Sequence, residues 1–381
     1  MSAEPNDEPE ADRVEGAPHP RETARLIGQG EAEAAFLAAH AAGRLHHAWL
    51  LAGPRGVGKA TLAWRLARFL LADVGDAAPA GAGLFGDAAP EPAPAARLDV
   101  PPGHPVARRI AALSEPRLKL VRRVWDEKRK ALKTQIGVEE ARGLKDFFQL
   151  SAADGGRRVA IVDAADEMTT GAANALLKIL EEPPRGAVLL LVGHQPARLL
   201  PTIRSRCREL RLGPLGPADM AAALAAAGAE AAHPERLAAL SGGSVGEAIR
   251  LANLDGLDAY AALVGLFRPR LDRAAAIRFA ETAAGRANEP RFDLMLRLIG
   301  LLLARAARAA LDGLPPEAAP GEAALLARLA PGAGAARVWA ERHEALGARA
   351  RHGKAVNLDP AALILDMLIR IDQTAAELAA S

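Results

Sequence analysis

The sequence lacks the cysteines, the one-sided charge and the long apolar runs that mark several large classes of protein. Cys207 is the single cysteine among 381 residues, which excludes a disulfide framework and is typical of a reducing compartment. Basic side chains number 48 against 46 acidic ones, so the surface as a whole is not built to bind nucleic acid. The apolar tract 298–303 falls far short of the roughly 20 residues that span a bilayer. We therefore expect a cytoplasmic protein without a membrane span.

The beginning of the sequence is acidic and has no apolar block. Residues 1–20 are therefore the reverse of a basic and then apolar secretion signal. We predict that they form a disordered acidic N-terminus. The acidic side chains in this stretch are Glu4, Asp7, Glu8, Glu10, Asp12 and Glu15.

A glycine-rich loop follows a short apolar run. Residues 53–61 read Gly-Pro-Arg-Gly-Val-Gly-Lys-Ala-Thr between a predicted strand at 48–52 and a predicted helix at 61–72, which is the context that a phosphate-binding loop requires. Its backbone amides would attract phosphate, and Lys59 would approach the β- and γ-oxygens. However, Ala60 stands where such loops carry the Ser or Thr that ligates Mg²⁺. Thr61 cannot replace that ligand easily, because one step around a helix turns a side chain by about 100°.

A second hydrophobic strand, 159–162, ends in Asp163, the position of a metal-binding aspartate in P-loop ATPases. Ala164 follows it in place of an acid that would orient the attacking water. The pattern predicts residual ATP or ADP binding without hydrolysis and no resident metal. The predicted nucleotide-binding residues are Gly53, Gly56, Gly58, Lys59, Thr61 and Asp163.

Two enzymatic alternatives remain open at this point. In the first, Asp166 or Glu167 substitutes for the missing acid and the chain is a working ATPase. In the second, which has less support, the chain is a P-loop kinase for a small substrate. Asp163 could also simply cap a turn at the end of its strand.

Strands alternate with helices as far as residue 213, which predicts an α/β P-loop domain with a parallel sheet. A helix is expected at 22–43, and a Gly-, Pro- and Ala-rich flexible insertion at 73–104. The sequence after 213 is Ala- and Leu-rich and helical in pattern. We predict a P-loop domain at 21–213, a small helical lid at 214–256 and an all-α collar domain at 257–381.

Two basic features are open to more than one interpretation. Arg206 stands in the triplet Ser205-Arg206-Cys207. Its spacing from the other motifs is equally compatible with a surface arginine and with a catalytic arginine. The run from Arg117 to Lys133, which includes Trp125, could contact a phosphate backbone or an acidic partner. A solvated face is the commoner explanation of such a run.

Three motifs together resemble the clamp-loader branch of the AAA+ proteins and, within it, the delta-prime family of bacterial DNA polymerase III. They are Arg-Leu-His-His-Ala-Trp at 44–49, Asn-Ala-Leu-Leu-Lys-Ile-Leu-Glu-Glu-Pro-Pro at 174–184 and Ser-Arg-Cys at 205–207. The resemblance covers most of 20–260 through specific motifs, and the remainder through its helical character and residues 357–360. It implies a five-membered ring with gamma or tau and delta, which loads the sliding clamp onto primed DNA. It also implies that Arg206 is an arginine finger that acts in trans on a neighbouring subunit.

The sequence departs from the motor subunits of that family at four sites. The positions that the family fills with catalytic and sensor residues are here Ala60, Ala164, Gly193-His194 and Gly246. These departures imply a subunit of the polymerase III holoenzyme that is not an enzyme by itself and requires no cofactor. Many relatives also carry four cysteines between the two nucleotide motifs, and this chain has none there, so no zinc is expected.

Overall fold

The computed structural model describes residues 9–72, 97–149, 156–229, 231–285 and 288–380. The chain divides into two compact units, Met1–Leu215 and Gly216–Ser381. Within the described ranges, every helix is too short or too polar to cross a lipid bilayer.

A five-stranded, wholly parallel sheet forms the centre of the first unit, in the order β2-β5-β6-β1-β7. β1, β5 and β6 are apolar and buried along almost their entire length, as expected for parallel strands covered on both faces. The predicted parallel sheet is thus confirmed. Its strands are β1 (Ala48–Ala52), β2 (Leu118–Arg122), β5 (Arg158–Asp163), β6 (Ala187–Gly193) and β7 (Arg208–Arg211), and a separate hairpin consists of β3 (Trp125–Asp126) and β4 (Ala131–Leu132).

Helices cover this sheet, and their termini follow local sequence signals. The Thr169 side chain accepts a hydrogen bond from the Ala172 amide at the start of α5, and two prolines follow the end of that helix. The helices are α1 (Gly30–Ala41), α2 (Lys59–Ala72), α3 (Pro105–Ala111), α4 (Val138–Gln149), α5 (Thr170–Glu181) and α6 (Pro201–Arg204). Two 3₁₀ turns occupy Ala165–Glu167 and Pro196–Arg198.

Three predictions for this unit need correction. The helix expected at 22–43 begins only at Gly30, since Gly28 adopts a φ of +73°. The N-terminus is wrongly predicted as disordered for residues 9–20, where His19 is buried. Residues 1–8 lie outside the described ranges.

The flexible insertion is shorter than predicted at its C-terminal end. Leu98 is buried, Asp99 pairs with Arg65 on α2 at 3.0 Å, and His104 caps α3 through its side chain. The prediction of flexibility is therefore wrong for 97–104. Residues 73–96 lie outside the described part of the chain.

The second unit is all-helical across its described residues. Gly242 takes a left-handed conformation and ends α8. Its helices are α7 (Pro217–Ala226), α8 (Pro234–Ser241), α9 (Val245–Asn253), α10 (Gly256–Gly265), α11 (Arg273–Glu281), α12 (Glu289–Asp312), α13 (Glu322–Leu329), α14 (Gly334–Ala355) and α15 (Pro360–Ala380). The division of these helices into a lid and a collar stays a prediction.

Candidate nucleotide site and arginine finger

The phosphate-binding loop joins the buried strand β1 to helix α2. Gly53, Gly56 and Gly58 have φ angles of +151°, +79° and +100°, which residues with a side chain rarely adopt. A Cβ at Gly53 would also lie 2.2 Å from the carbonyl oxygen of Leu212. The loop therefore requires glycine, and α2 begins at Lys59, two residues before the predicted start.

Lys59 is directed into its own loop. Its ammonium group donates hydrogen bonds to the carbonyl oxygens of Gly53, at 2.7 Å, and Pro54, and the residue is 2% exposed. Burial lowers the pKa of Lys59 to about 8, although the charges of Asp163 and Asp166 act to raise it. The glycine amides and Lys59 fit a phosphate group, but the lysine would have to exchange these carbonyls for phosphate oxygens.

Asp163 lies at the carboxyl end of β5, as predicted, and is buried. Burial, with a further contribution from the negative charge of Asp12, raises the pKa of Asp163 to about 7. Ala60 leaves the loop without the hydroxyl group that ligates Mg²⁺ in P-loop ATPases, so this half of the site lacks one of the usual metal ligands.

Asp166 and Glu167, which could replace the acid missing at position 164, both form contacts with neighbouring segments. Asp166 accepts the backbone amides of His194 and Gln195 at 2.9 and 3.0 Å, one on each carboxylate oxygen. Glu167 forms ion pairs with Arg55 of the phosphate-binding loop and with Arg123, the latter at 2.7 Å. Both residues belong to the 3₁₀ turn after β5, and both hold neighbouring segments in place.

His194 directly follows β6, at the same end of the sheet as Asp163. Burial and the nearby positive charges of Lys59 and Arg55 lower the pKa of His194 to about 4, so the imidazole is neutral at physiological pH. The loop that carries it is fixed by Asp166. This side of the pocket thus presents a neutral ring rather than a hydroxyl group.

Arg206 follows α6 and is only partly enclosed by its own fold. Its guanidinium donates to the carbonyl oxygen of Thr202 at 3.0 Å and lies 3.1 Å from Glu181 at the end of α5. The Arg206 side chain is 36% exposed and that of Glu181 50% exposed. The guanidinium is therefore reachable from solvent and pairs with a carboxylate that is itself exposed.

The basic run 117–133 is largely neutralised within the chain. Arg117 pairs with Glu115 at 3.0 Å, and Lys133 with Glu140 at 2.9 Å. Six of its eight basic side chains form ion pairs with the chain's own carboxylates: Arg117, Arg122, Arg123, Arg129, Lys130 and Lys133. This favours the interpretation as a solvated face, and a contact with DNA stays a prediction.

Sequence reasoning missed the side chains that the N-terminus places beside the site. Asp12 and Glu10 both pair with Arg122, which ends β2. Arg122 lies directly opposite Asp163 in the parallel register of β2 and β5. The only signal in the sequence was the acidic composition of residues 1–20, and composition alone suggested disorder.

Comparison with proteins of known sequence finds similarity to subunits of DNA polymerase III. Residues 103–216 match a family model described as "DNA polymerase III, delta subunit". The chain is 40% identical over 209 residues to DNA polymerase III subunit delta' of Pseudomonas aeruginosa, covering 54% of this chain and 55% of the relative. It is 32% identical over 212 residues to the delta' subunit of Bacillus subtilis, covering 56% and 55%.

A gamma/tau subunit of DNA polymerase III is also similar to this chain. The gamma/tau subunit of Mycobacterium tuberculosis is 34% identical over 207 residues, covering 54% of this chain and 31% of the relative. Matched regions therefore span about half the length of the delta' relatives and about a third of gamma/tau.

Proposed function

Because this chain belongs to the DNA polymerase III clamp-loader family of delta' and gamma/tau subunits, we propose that it is a non-hydrolysing, delta-prime-like subunit. In this proposal it donates Arg206 as an arginine finger to the nucleotide of a neighbouring motor subunit. The proposal rests on the residues that form the chain's own nucleotide site. The catalytic positions are Ala60 and Ala164, and the nearby acids Asp166 and Glu167 are engaged in structural contacts.

The partners follow from the family. We place the chain in a ring with gamma or tau and with delta, which opens the sliding clamp and loads it onto primed DNA during replication. Five members in the ring, and action at the nucleoid in the cytoplasm, belong to the same proposal. The helices of the second unit would supply the collar through which such subunits associate.

The contact between Arg206 and Glu181 is compatible with a role in trans. Exposed ion pairs contribute about 0.2–1 kcal/mol, whereas an arginine finger lowers a phosphoryl-transfer barrier by roughly 4–7 kcal/mol. A neighbour's γ-phosphate would therefore compete successfully with Glu181 for the guanidinium. Glu181 can therefore keep the Arg206 side chain at the surface and still release it to a neighbouring subunit.

The proposal is tested by ATP hydrolysis of the purified chain, of the motor subunits, and of their mixture. We expect the chain alone to hydrolyse no ATP. When it is added to the motor subunits, we expect their rate of ATP hydrolysis to rise. Lys59→Ala should leave turnover of the assembled ring within about twofold of the parent, because Lys59 serves a site that lacks both the hydroxyl ligand for Mg²⁺ and the catalytic acid. The same substitution at a motor-subunit P-loop lysine is the positive control.

Two results would contradict the interpretation of this nucleotide site as inactive. ATP turnover by the isolated chain at a motor-like rate would favour the working ATPase with Asp166 or Glu167 as its acid. A loss in the Lys59→Ala ring as deep as that in the motor-subunit control would show that this pocket takes part in turnover.

Glu181→Gln is expected to raise ring turnover by about 1.5- to 5-fold at limiting ATP. The substitution removes an exposed competitor for the guanidinium, and 0.2–1 kcal/mol corresponds to that range. Steady-state rates over a range of ATP concentrations measure the effect. Glu182→Gln, one residue further along and also exposed, is the matched control, and an equal change in both variants would exclude a specific role for Glu181.

A further inference from the structure

Helix α5 ends with a carbonyl group that its own next turn cannot satisfy. In a continuing helix the carbonyl oxygen of Leu180 would accept the amide of residue 184, or that of residue 183 in a tighter 3₁₀ turn. Both positions are proline, which has no amide hydrogen. Leu180 is buried, and a buried carbonyl group without a partner destabilises a fold. The end of α5 therefore needs a donor from elsewhere in the chain.

His47 supplies that donor. Its Nε2 lies 3.2 Å from the carbonyl oxygen of Leu180, and because a carbonyl oxygen can only accept, Nε2 is the nitrogen that carries the proton. Burial lowers the pKa of His47, with a further contribution from the neighbouring His46, so the donor is a neutral imidazole at physiological pH. The main chain of His47 is fixed as well, since its carbonyl oxygen accepts the Leu189 amide of β6 at 2.8 Å.

The end of α5 is also the surface on which the segment of Arg206 rests. The short helix α6 packs against α5, and Ile203 of α6 shares one buried core cluster with Leu180. Cys207, on the other side of Arg206, packs against the same cluster. Arg206 itself donates to the carbonyl oxygen of Thr202 on α6. A displacement of the α5 end would therefore displace the guanidinium.

Strand β1 contacts the same segment from its other end. Arg208, two residues after Arg206, is the register partner of Trp49, and its guanidinium lies 5.2 Å from the centre of that ring. His47 directly precedes β1. The stretch 47–49 thus contacts both α5, on which α6 rests, and β7, which follows the finger.

We propose that His47 is a positioning residue for the arginine finger, whose hydrogen bond to Leu180 fixes the end of α5 and, through α6, the location of Arg206. Because Arg206 is a finger only under the proposed function, this role rests on that proposal. It differs from the role of Glu181, whose carboxylate competes for the guanidinium. Removing His47 should therefore lower turnover at the neighbouring motor site, whereas removing the charge of Glu181 should raise it.

The test is steady-state ATP turnover in a ring in which only the motor site next to this chain is active. We expect His47→Leu to lower kcat about three- to tenfold at unchanged KM for ATP, because one hydrogen bond is lost and the guanidinium acts in the transition state. His47→Gln carries an N–H the same number of bonds from Cα and should recover most of the rate. His47→Asn, whose amide is one bond too short, is a second variant that should behave like His47→Leu.

His46→Leu is the matched control. Its ring stacks on that of His47 at 4.3 Å between centroids, and its Nδ1 accepts the Ala48 amide. This variant removes an imidazole from the same turn but leaves the bond to α5 in place, so its turnover should stay within about twofold of the parent. Each variant is added until turnover saturates, which removes differences in ring assembly.

Arg206→Ala in the same ring separates this role from the proposed function. If Arg206→Ala lowers turnover and His47→Leu does not, or if His47→Gln is as slow as His47→Leu, His47 does not position the finger. An equal loss in His46→Leu, or an undiminished further loss from His47→Leu in the Arg206→Ala ring, would also overturn the proposal, because neither effect would pass through Arg206. Equal turnover in the Arg206→Ala and parent rings would overturn the proposed function, and this role with it.

Hydrogen exchange of the isolated chain provides a second readout without the ring. His47→Leu should speed exchange in peptides that cover 176–182 and 202–207, and His47→Gln should restore the parent rates. Unchanged exchange in both peptides would show that the hydrogen bond does not fix the end of α5. Faster exchange in 176–182 alone would show that the end of α5 does not hold the finger segment. Either result would overturn the proposal.

Discussion

Replacing Arg206 with alanine is expected to reduce ATP turnover at the neighbouring motor site by about 10³-fold or more. Arginine fingers contribute about 10³ to 10⁵ to phosphoryl-transfer rates, because a guanidinium compensates the charge that develops in the transition state. The partly exposed side chain of Arg206 makes one hydrogen bond and one exposed ion pair in its own fold. The substitution should therefore leave the stability of the isolated chain nearly unchanged.

The measurement requires a ring in which only the motor site next to this chain is active, with the other motor P-loops inactivated by substitution of their lysines. Arg204→Ala is the matched control, since Arg204 is exposed and lies two residues away on the same segment. Arg206→Lys keeps the positive charge but loses the planar guanidinium group with its paired N–H donors. This variant should therefore recover only part of the rate. Equal turnover in the Arg206→Ala and parent rings would remove the finger from the proposed function.

The central strands and the nucleotide loop were predictable because their sequence signals are local. β1, β5 and β6 are continuous apolar runs, and the glycine pattern of 53–58 fixes the loop between strand and helix. The register that places Asp163 at a strand end was also correct. These features depend on residues that are adjacent in the chain.

The two edge strands of the sheet were not predicted. β2 and β7 carry charged residues, Leu-Lys-Leu-Val-Arg and Arg-Glu-Leu-Arg, and each is only partly buried. Charged side chains are common on edge strands because one side of the strand has no partner. Without knowledge of the neighbouring strand, such segments resemble a basic surface run or a loop.

The engagement of particular acids could not be predicted either. Asp166 and Glu167 are plausible catalytic acids by position, and only their contacts with the His194 amide and with Arg123 give them structural roles. Likewise, the composition of residues 9–20 favoured disorder, whereas Glu10 and Asp12 pair with Arg122, more than 100 residues away. Long-range pairing of this kind leaves no periodic signal in the sequence.

A buried polar network lies within the second unit. Glu322 is fully buried and accepts hydrogen bonds from the hydroxyl of Tyr260 at 2.7 Å, from the Ala318 amide at 2.6 Å and from Arg305. Arg305, also buried, donates further to the carbonyl oxygens of Ala239 and Pro316. The network joins α8, α10, α12 and α13, which the sequence had assigned to separate lid and collar domains. Burial and the adjacent Glu322 carboxylate also raise the pKa of Tyr260, so its hydroxyl remains a donor.

Glu322→Ala is accordingly expected to destabilise the second unit by about 3–5 kcal/mol, because it leaves the buried guanidinium of Arg305 without a counter-charge. Urea unfolding followed by the helical signal at 222 nm measures the loss. Arg305→Met/Glu322→Leu removes both charges together and should recover a large part of the stability, since a buried ion pair replaced by apolar groups is often neutral. Glu341→Ala breaks an exposed pair with Arg337 on α14 and should barely move the midpoint. A Glu322→Ala midpoint as little changed as that of Glu341→Ala would show that this network is not what holds the four helices together.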